Sequence, residues 1–219
     1  MALSKLIKNQ IPESMHIHID NYAARLTSPL YFGNSVKCNI CNGTFSKFRY
    51  SKGRRTMCPR CRSYTRHRMI WMYLKNETDI LEDKGPLLHM APELLVIRKF
   101  QQYLTPQNYI TADLYSSIAM VKTDICDLVF KDDFFNAFIC SHVLEHIVDD
   151  RKAMSELFRV LKPGGFGLLL VPMKDKDETY EDFSITDPKE REKHFGQVDH
   201  VRWYGRDFKD RLESVGFEV

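Results

Sequence analysis

Residues 124–172 read DICDLVFKDDFFNAFICSHVLEHIVDDRKAMSELFRVLKPGGFGLLLVP, and this stretch decides the fold. Its apolar runs at 135–141 and 165–171 have the length of buried strands. Residues 149–161 between them have the apolar spacing of an amphipathic helix, and the Pro-Gly-Gly turn at 163–165 follows. The stretch therefore predicts a strand–helix–strand unit.

The same alternation extends upstream and downstream. It predicts further strands at 87–90, 109–113 and 121–124, and further helices at 93–104 and 206–215. Strands that alternate with helices indicate an α/β fold with a doubly wound, mostly parallel sheet. Such sheets bind ligands at the carboxyl ends of their strands, where the strand order reverses.

Two carboxylates follow predicted strands. Asp113 lies 22 residues after Ala91, about the spacing at which an acidic residue meets the ribose hydroxyls of a nucleoside. Asp124 is placed to accept from an exocyclic amine such as that of adenine. The alternative is that each aspartate only ends a strand and begins a turn.

Several motifs in 124–172 resemble those of class I S-adenosylmethionine-dependent methyltransferases of the type 11 group. They are the Asp after strand three, the D-x-x-F approach to strand four, the S-H-V-L-E-H end of that strand, and L-F-R-V-L-K-P-G-G before strand five. With the upstream strands, the resemblance covers about residues 85–219. It implies a Rossmann-like domain that transfers a methyl group from S-adenosyl-L-methionine.

The resemblance also implies a cofactor site. Ala91 would lie beside the methionine part, Asp113 would bind ribose, and Asp124 with Ile125 would contact adenine. Ser141 would approach the sulfonium. The full set of implied cofactor residues is Met90, Ala91, Glu93, Asp113, Leu114, Asp124, Ile125 and Ser141.

The chain departs from the family pattern in two places. Where the family has a glycine-rich first loop, this chain has HMAPE, so Pro92 removes an amide donor and Glu93 replaces a glycine. The alternative is that Glu93 binds the amino group of the cofactor. Family members also continue into a sixth and a reversed seventh strand, whereas this chain stops at Val219. We expect truncation, the alternative being an open sheet edge.

Four of the six cysteines form a metal-binding pattern. Cys38-x2-Cys41 and Cys58-x2-Cys61 have the spacing of a zinc ribbon, with a closed tetrahedral and therefore structural Zn²⁺ site. The run 44–50 between the pairs predicts a short hairpin. Cys126 and Cys140 are interpreted as small buried hydrophobic residues.

Charge is distributed unevenly along the chain. Residues 37–75 contain eleven Lys or Arg and no Asp or Glu, so this segment carries +11 and the remainder −8 within a net charge of +3. Basic segments commonly bind nucleic acid. The alternative is that this segment forms a basic face that is solvated or that docks on the acidic remainder of the same chain. The predicted organisation is an amino-terminal helical or irregular segment (1–36), the ribbon (37–63), a linking helix (64–84) and the methyltransferase-like domain (85–219).

Three histidines are candidate catalysts. His142 and His146 are four residues apart at the end of strand four, and His200 beside Asp199 lies in the long connection 173–205, which predicts a lid. We predict a cytoplasmic methyltransferase, because neither a secretory signal nor a membrane span is evident. A small molecule, a sugar or RNA would be the acceptor. The alternative is a non-catalytic zinc-ribbon protein that binds nucleic acid and has a degenerate cofactor pocket.

Overall fold

The computed structural model describes residues 19, 22–51, 54–82 and 84–219, which form two compact units. The first contains the described residues up to Glu82 together with Glu93–Thr105, and the second contains Lys84–Pro92 and Pro106–Val219. Most of the predicted amino-terminal segment lies outside the described residues. Within its remainder, Ser28–Tyr31 forms a 3-10 helix.

Among the described residues, the first unit is built from short antiparallel strand pairs and helical segments, one of which covers residues 22–27. Its elements are β1 (Val36–Lys37), β2 (Thr44–Phe45), β3 (Arg49–Ser51), β4 (Arg54–Met57), α1 (Thr65–Glu77), a 3-10 helix (Ile80–Glu82) and α2 (Leu94–Phe100). β1 pairs with β2, and β3 pairs with β4. The prediction of one hairpin over 44–50 is therefore wrong. The chain reverses at the first cysteine pair, so that β2 returns along β1 instead of pairing with β3.

Helix α1 buries one apolar face within the first unit. Ile70, Trp71 and Leu74 are buried at helical spacing. The ring of Trp71 lies 5.7 Å from that of Phe100 on α2. The predicted linking helix is longer than the observed one, because Thr78 adopts an extended conformation that ends α1.

The second unit contains a five-stranded parallel sheet. Its elements are β5 (Leu87–Met90), β6 (Tyr109–Asp113), β7 (Val121–Lys122), β8 (Phe135–Ser141), a 3-10 turn (Leu144–His146), α3 (Asp150–Val160), β9 (Leu161–Leu170), β10 (Tyr180–Glu181), α4 (Pro188–Phe195), β11 (Arg202–Trp203) and α5 (Phe208–Glu213). The sheet order is β7-β6-β5-β8-β9. The order reverses between β5 and β8, so the predicted Rossmann-like α/β fold is confirmed and its crevice lies there.

The Pro-Gly-Gly turn is accommodated inside β9. Phe135 pairs with Leu161 but Ala137 pairs with Phe166, so residues 162–165 bulge out of the ladder. Gly164 has a φ of +77°, which favours glycine. The fifth strand thus begins earlier than the predicted 165, because β9 pairs with β8 on both sides of the bulge.

Helix α3 packs its apolar face into the core of this unit. Ala153, Met154, Leu157 and Val160 are completely buried. Asp149 caps the helix, since its carboxylate accepts from the amide of Lys152 at 3.0 Å. The described parts of the chain contain no helix that is long and apolar enough to span a bilayer.

Truncation of Leu157 tests the contribution of this face. We expect Leu157→Ala to lower the free energy of unfolding by about 2–5 kcal/mol, because it leaves a cavity in the core. Ser155→Ala on the exposed side of α3 should change it by less than about 0.5 kcal/mol. Urea unfolding followed by circular dichroism measures both, and equal losses would contradict the packing role.

Candidate functional site

Three neighbouring strands end side by side at the crevice. Met90 on β5 pairs with Ala112 on β6 and with Cys140 on β8. The next residues along these strands, Ala91, Asp113 and Ser141, therefore occupy one edge of the sheet, about 5 Å apart from strand to strand. Sequence positions 91, 113 and 141 are thus brought together.

The carboxylate of Asp113 is fixed by the loop that follows it. Its Oδ1 accepts from the amides of Tyr115 and Ser116, both at 2.6 Å. These two bonds orient the carboxylate at the strand end. A fixed carboxylate at this edge is suited to accept from hydroxyl groups of a ligand. Leu114, which lies between Asp113 and Tyr115 in the chain, is half-buried.

Ser141 and His142 end β8. The Ser141 hydroxyl oxygen is buried, and within the described residues it contacts no hydrogen-bond partner. The amide of His142 donates to Leu170 O at 2.8 Å, and its ring Nδ1 donates to Glu145 Oε1 at 3.1 Å. The edge of β8 therefore presents an unpaired hydroxyl and a partly exposed imidazole.

The first loop has the backbone conformation that glycine usually provides. Ala91 has a φ of +47°, in the left-handed region. Its amide donates to Ala112 O at 2.9 Å, which ties the turn to β6. The left-handed turn is therefore formed at Ala91 without a glycine.

Glu93 belongs to the first unit and is engaged there. Its Oε1 accepts from Arg66 at 2.8 Å and from His67 at 2.7 Å, both on α1. Although burial opposes ionisation, the hydrogen bond and charge of His67, assisted by Arg66, lower the pKa of Glu93 to about 2. Glu93 is therefore an ionised partner of α1.

The residues that are predicted to contact adenine form a tight turn. The exposed Asp124 accepts from the amide of Cys126 through Oδ1 at 2.8 Å. Ile125 is buried in the core, so its side chain contributes packing. Burial raises the pKa of the Cys126 thiol to about 11, with a contribution from the charge of Asp124. This agrees with an unreactive thiol at neutral pH.

The turn after β8 brings two of the three predicted histidines into contact. The rings of His146 and His200 are 4.7 Å apart and nearly perpendicular. His146 Nδ1 donates to the backbone carbonyl of Asp199 at 3.3 Å and lies equally far from the Asp199 carboxylate, while His200 Nδ1 donates to Phe195 O at 3.2 Å. Asp199 therefore pairs with His146. The sequence had suggested a pairing with the adjacent His200, which the structure does not show. Burial lowers the pKa of His200, and the charge of His146 adds to this effect.

The four cysteines of the first unit converge as predicted. Cys38 Sγ lies 3.7 Å from Cys61 Sγ, and Cys41 Sγ lies 3.8 Å from Cys58 Sγ. A tetrahedral Zn–S₄ centre with bonds of about 2.3 Å has sulfur–sulfur edges of about 3.8 Å. Hydrogen bonds among the four thiols lower the pKa of Cys38 and raise the pKa of Cys58 and Cys61, so in the absence of a metal they favour the thiolate form at Cys38. The cluster could therefore hold zinc.

The two cysteine turns share a backbone pattern. The amide of Cys38 donates to Gly43 O, and that of Cys58 donates to Ser63 O, both at 2.9 Å. The residue after each second cysteine, Asn42 or Arg62, has a positive φ. Equivalent turns therefore direct both thiolate pairs toward one point.

Comparison with known proteins agrees with this geometry. Residues 95–169 match the family model described as "Methyltransferase domain". Most of these residues lie in the second unit, which we call the methyltransferase domain because of this likeness. The likeness does not determine the acceptor.

Relatives of the methyltransferase domain align over limited lengths. A demethylmenaquinone methyltransferase from Clavibacter sepedonicus is 48% identical over 48 residues, 22% of this chain and 20% of that protein. A ubiquinone/menaquinone biosynthesis C-methyltransferase from Brucella abortus is 28% identical over 153 residues, 64% of this chain and 56% of that protein. The chain thus matches about a fifth to a little over half of these relatives.

A solved structure shows the same fold. A candidate sarcosine dimethylglycine methyltransferase from Galdieria sulphuraria aligns with a TM-score of 0.51 at 16% identity. The alignment covers 69% of this chain and 60% of that one. At this identity the likeness describes the fold of the methyltransferase domain alone.

One functional residue of the methyltransferase domain escaped prediction from sequence. Arg202 is fully buried, and its guanidinium donates to the carbonyls of Leu144, Ile147 and Val148. Its Nε donates to Glu181 Oε2 at 2.8 Å. Arg202 therefore holds the turn that carries Glu145 and His146. An arginine in a polar loop carries no sequence signal for such burial.

Replacement of Arg202 should loosen this turn of the methyltransferase domain. We expect Arg202→Met to lower the free energy of unfolding by about 3–5 kcal/mol, because it leaves three backbone carbonyls and the partly buried carboxylate of Glu181 without this partner. Amide hydrogen exchange at 144–148 should accelerate.

The matched control is Arg206→Met. Arg206 is exposed and pairs with Asp175 and Asp177 at the surface, so its loss should cost less than about 1 kcal/mol. Equal destabilisation by the two replacements would show that the buried contacts of Arg202 contribute nothing special.

Proposed function

We propose that the chain is an S-adenosyl-L-methionine-dependent methyltransferase whose cofactor binds at the carboxyl ends of β5, β6 and β8. The observation that carries the proposal is the oriented carboxylate of Asp113 at the edge where the strand order reverses. The match of residues 95–169 to the methyltransferase family supports it.

The residues present fit such a cofactor. Asp113 offers an acceptor for the vicinal hydroxyls of ribose, and the left-handed turn at Ala91 matches the expected path beside the methionine part. The buried hydroxyl of Ser141 lacks a partner in the described structure, and a polar ligand would supply one. Asp124 and the backbone of Ile125, with Met90 and Leu114, complete the proposed adenosyl surface.

When bound, the cofactor supplies an electrophilic methyl group. The chain contributes chiefly by holding the acceptor atom in line with that methyl and by excluding water. His142 directly follows Ser141, and its ring is 38% exposed, so it can reach an acceptor. Glu145 orients the His142 ring through Nδ1, which leaves Nε2 to receive a proton. We assign His142 the role of general base.

We do not include Glu93 in the proposed cofactor site. Two cationic or imidazole donors from α1 already bind its Oε1. Its contribution is instead to tie the start of α2 to α1 within the first unit.

We further propose that the cysteine cluster holds a structural Zn²⁺. The sulfur spacing and the paired turns support this assignment, and four thiolates leave no position open for catalysis. Clustered free cysteines are typical of a reducing compartment, so we place the protein in the cytoplasm.

Nucleic-acid binding by the first unit is a second candidate function. A cavity of about 250 Å³ in this unit is lined by the metal-binding loops and by basic side chains. The basic side chains are Arg25, Arg60, Arg98 and Lys99. Clustered cations favour a polyanion such as RNA over an uncharged metabolite or sugar as the acceptor.

If RNA binds here, Arg60→Glu should weaken the binding of RNA at low salt and reduce the salt dependence of its affinity. Unchanged RNA binding would favour a small acceptor.

The cofactor site is tested by Asp113→Asn. Charge-assisted hydrogen bonds contribute about 1.5–3 kcal/mol, so the affinity for S-adenosylhomocysteine should fall about ten- to hundredfold. The amide oxygen of asparagine can still accept from the loop, which preserves the fold. Calorimetric titration measures the change.

Asp177→Asn, an exposed aspartate of the same unit, is the control and should bind as tightly as the native chain. A folded native chain that binds neither S-adenosylmethionine nor S-adenosylhomocysteine would overturn the proposed function.

The zinc assignment is tested by elemental analysis of two cysteine variants. Cys61→Ser should contain one zinc per chain fewer than Cys126→Ser, because Cys61 belongs to the cluster and Cys126 does not. Cys61→Ser should also unfold the first unit at a lower temperature, since metal binding contributes folding free energy. Equal zinc contents would contradict the assignment.

A further inference from the structure

A second group of metal-ligating side chains lies beyond the end of β8. Glu145, His146 and His200 each place one ligand atom within 4.8 Å of the other two. Donor atoms around a first-row divalent ion are about 3–4 Å apart, so shifts of about 1 Å or less would bring these three onto one ion. All three residues belong to the methyltransferase domain and are remote from the cysteine cluster in sequence.

Two side chains of this group each have a buried polar atom without a partner. The Glu145 residue is 0% exposed and His200 is 2% exposed. Among the described residues, Glu145 Oε2 and His200 Nε2 make no hydrogen bond. A buried carboxylate oxygen and a buried imidazole nitrogen are both costly to leave unpaired, and a cation between them would satisfy both.

Each candidate ligand is also held on its other side. His200 Nδ1 donates to Phe195 O, and His146 Nδ1 donates to the backbone carbonyl of Asp199 at 3.3 Å, with the Asp199 carboxylate Oδ2 at the same distance. Glu145 Oε1 accepts from His142 Nδ1. Metal-binding histidines typically donate their second ring nitrogen to a carbonyl or a carboxylate in this way, which fixes the tautomer and directs the lone pair at the metal.

We propose that Glu145, His146 and His200 form a binding site for a divalent first-row transition-metal ion. Two imidazoles and one carboxylate occupy three positions and leave the others for water or for an oxygen atom of a bound molecule. The side chain of His146 is 31% exposed, so the ion is reached from solvent on that side. Asp199 is a positioning residue that acts through His146.

The site gives the turn after β8 a chemical purpose distinct from cofactor binding. An ion here would take an oxygen donor, such as a hydroxyl or carboxylate of the methyl acceptor, and lower its pKa. The metal site itself does not depend on the proposed methyl transfer, and it is tested without cofactor.

Manganese is the probe, because thiolates favour zinc whereas carboxylate and imidazole sites accept Mn²⁺. The full chain is dialysed against a mild chelator and titrated with Mn²⁺, and loss of the free Mn²⁺ signal in electron paramagnetic resonance measures binding. We expect one Mn²⁺ per chain. Glu145→Gln and His146→Asn should abolish that binding. Asp199→Asn should weaken it by less than about tenfold, because the backbone carbonyl of residue 199 still accepts from His146 Nδ1.

His194→Asn and Asp177→Asn are matched controls in the same unit and should bind Mn²⁺ as the native chain does. If Glu145→Gln is too unstable to study, the thermal midpoint gives a second readout: Mn²⁺ should raise it for the native chain and the controls but not for His146→Asn. Failure of the native chain to bind Mn²⁺, Co²⁺ or Zn²⁺ outside the cysteine cluster would overturn the site. Binding that survives Glu145→Gln and His146→Asn would overturn it equally.

The same samples separate this inference from the proposed function. Tight binding of S-adenosylhomocysteine without Mn²⁺ binding refutes the metal site alone. Mn²⁺ binding without cofactor binding refutes the methyltransferase activity alone.

Discussion

The turn after β8 depends on the hydrogen bonds of the buried Arg202 guanidinium. It donates to three carbonyls of the turn after β8 and pairs with Glu181, and the adjacent Tyr204 hydroxyl donates to Asp150 at 2.8 Å. The amide of Val201 also donates to Glu145 O. Without these bonds the turn would expose carbonyls that no helix or strand satisfies. Segment 200–204 thus completes a turn that lies more than fifty residues earlier in the chain.

Parallel pairing explains why polar groups accumulate at one edge of the sheet. Strands buried on both faces are mostly apolar along their length and present groups to solvent where they end, and β5, β6 and β8 end at adjacent positions. Ala91, Asp113 and Ser141 therefore face one crevice although 50 residues separate the first from the last. The turn that follows β8 extends this polar edge to Glu145 and His146, so one strand end serves two groups of ligand atoms.

What could be predicted from the sequence follows from the range of the forces involved. The bounds of β5, β6 and β8 are as predicted, because continuous apolar runs end at Pro, Asp or Ser. The cysteine cluster is likewise local, since each turn is set by its own C-x2-C spacing. The partner of Asp199 and the burial of Arg202 depend on contacts over more than fifty residues, and no local pattern records them. The roles of His142, His146 and His200 remain predictions.

The left-handed residues at the crevice link the lifetime of the protein to its ligand. Ala91 and His142 both have positive φ and directly follow the two central strands, β5 and β8. Such conformations cost about 1 kcal/mol each, which together raise the unfolded fraction of the empty domain about thirtyfold. A ligand that binds only the folded crevice opposes this by mass action. Because proteases remove the unfolded fraction in cells, the supply of that ligand would help to set the abundance of the protein.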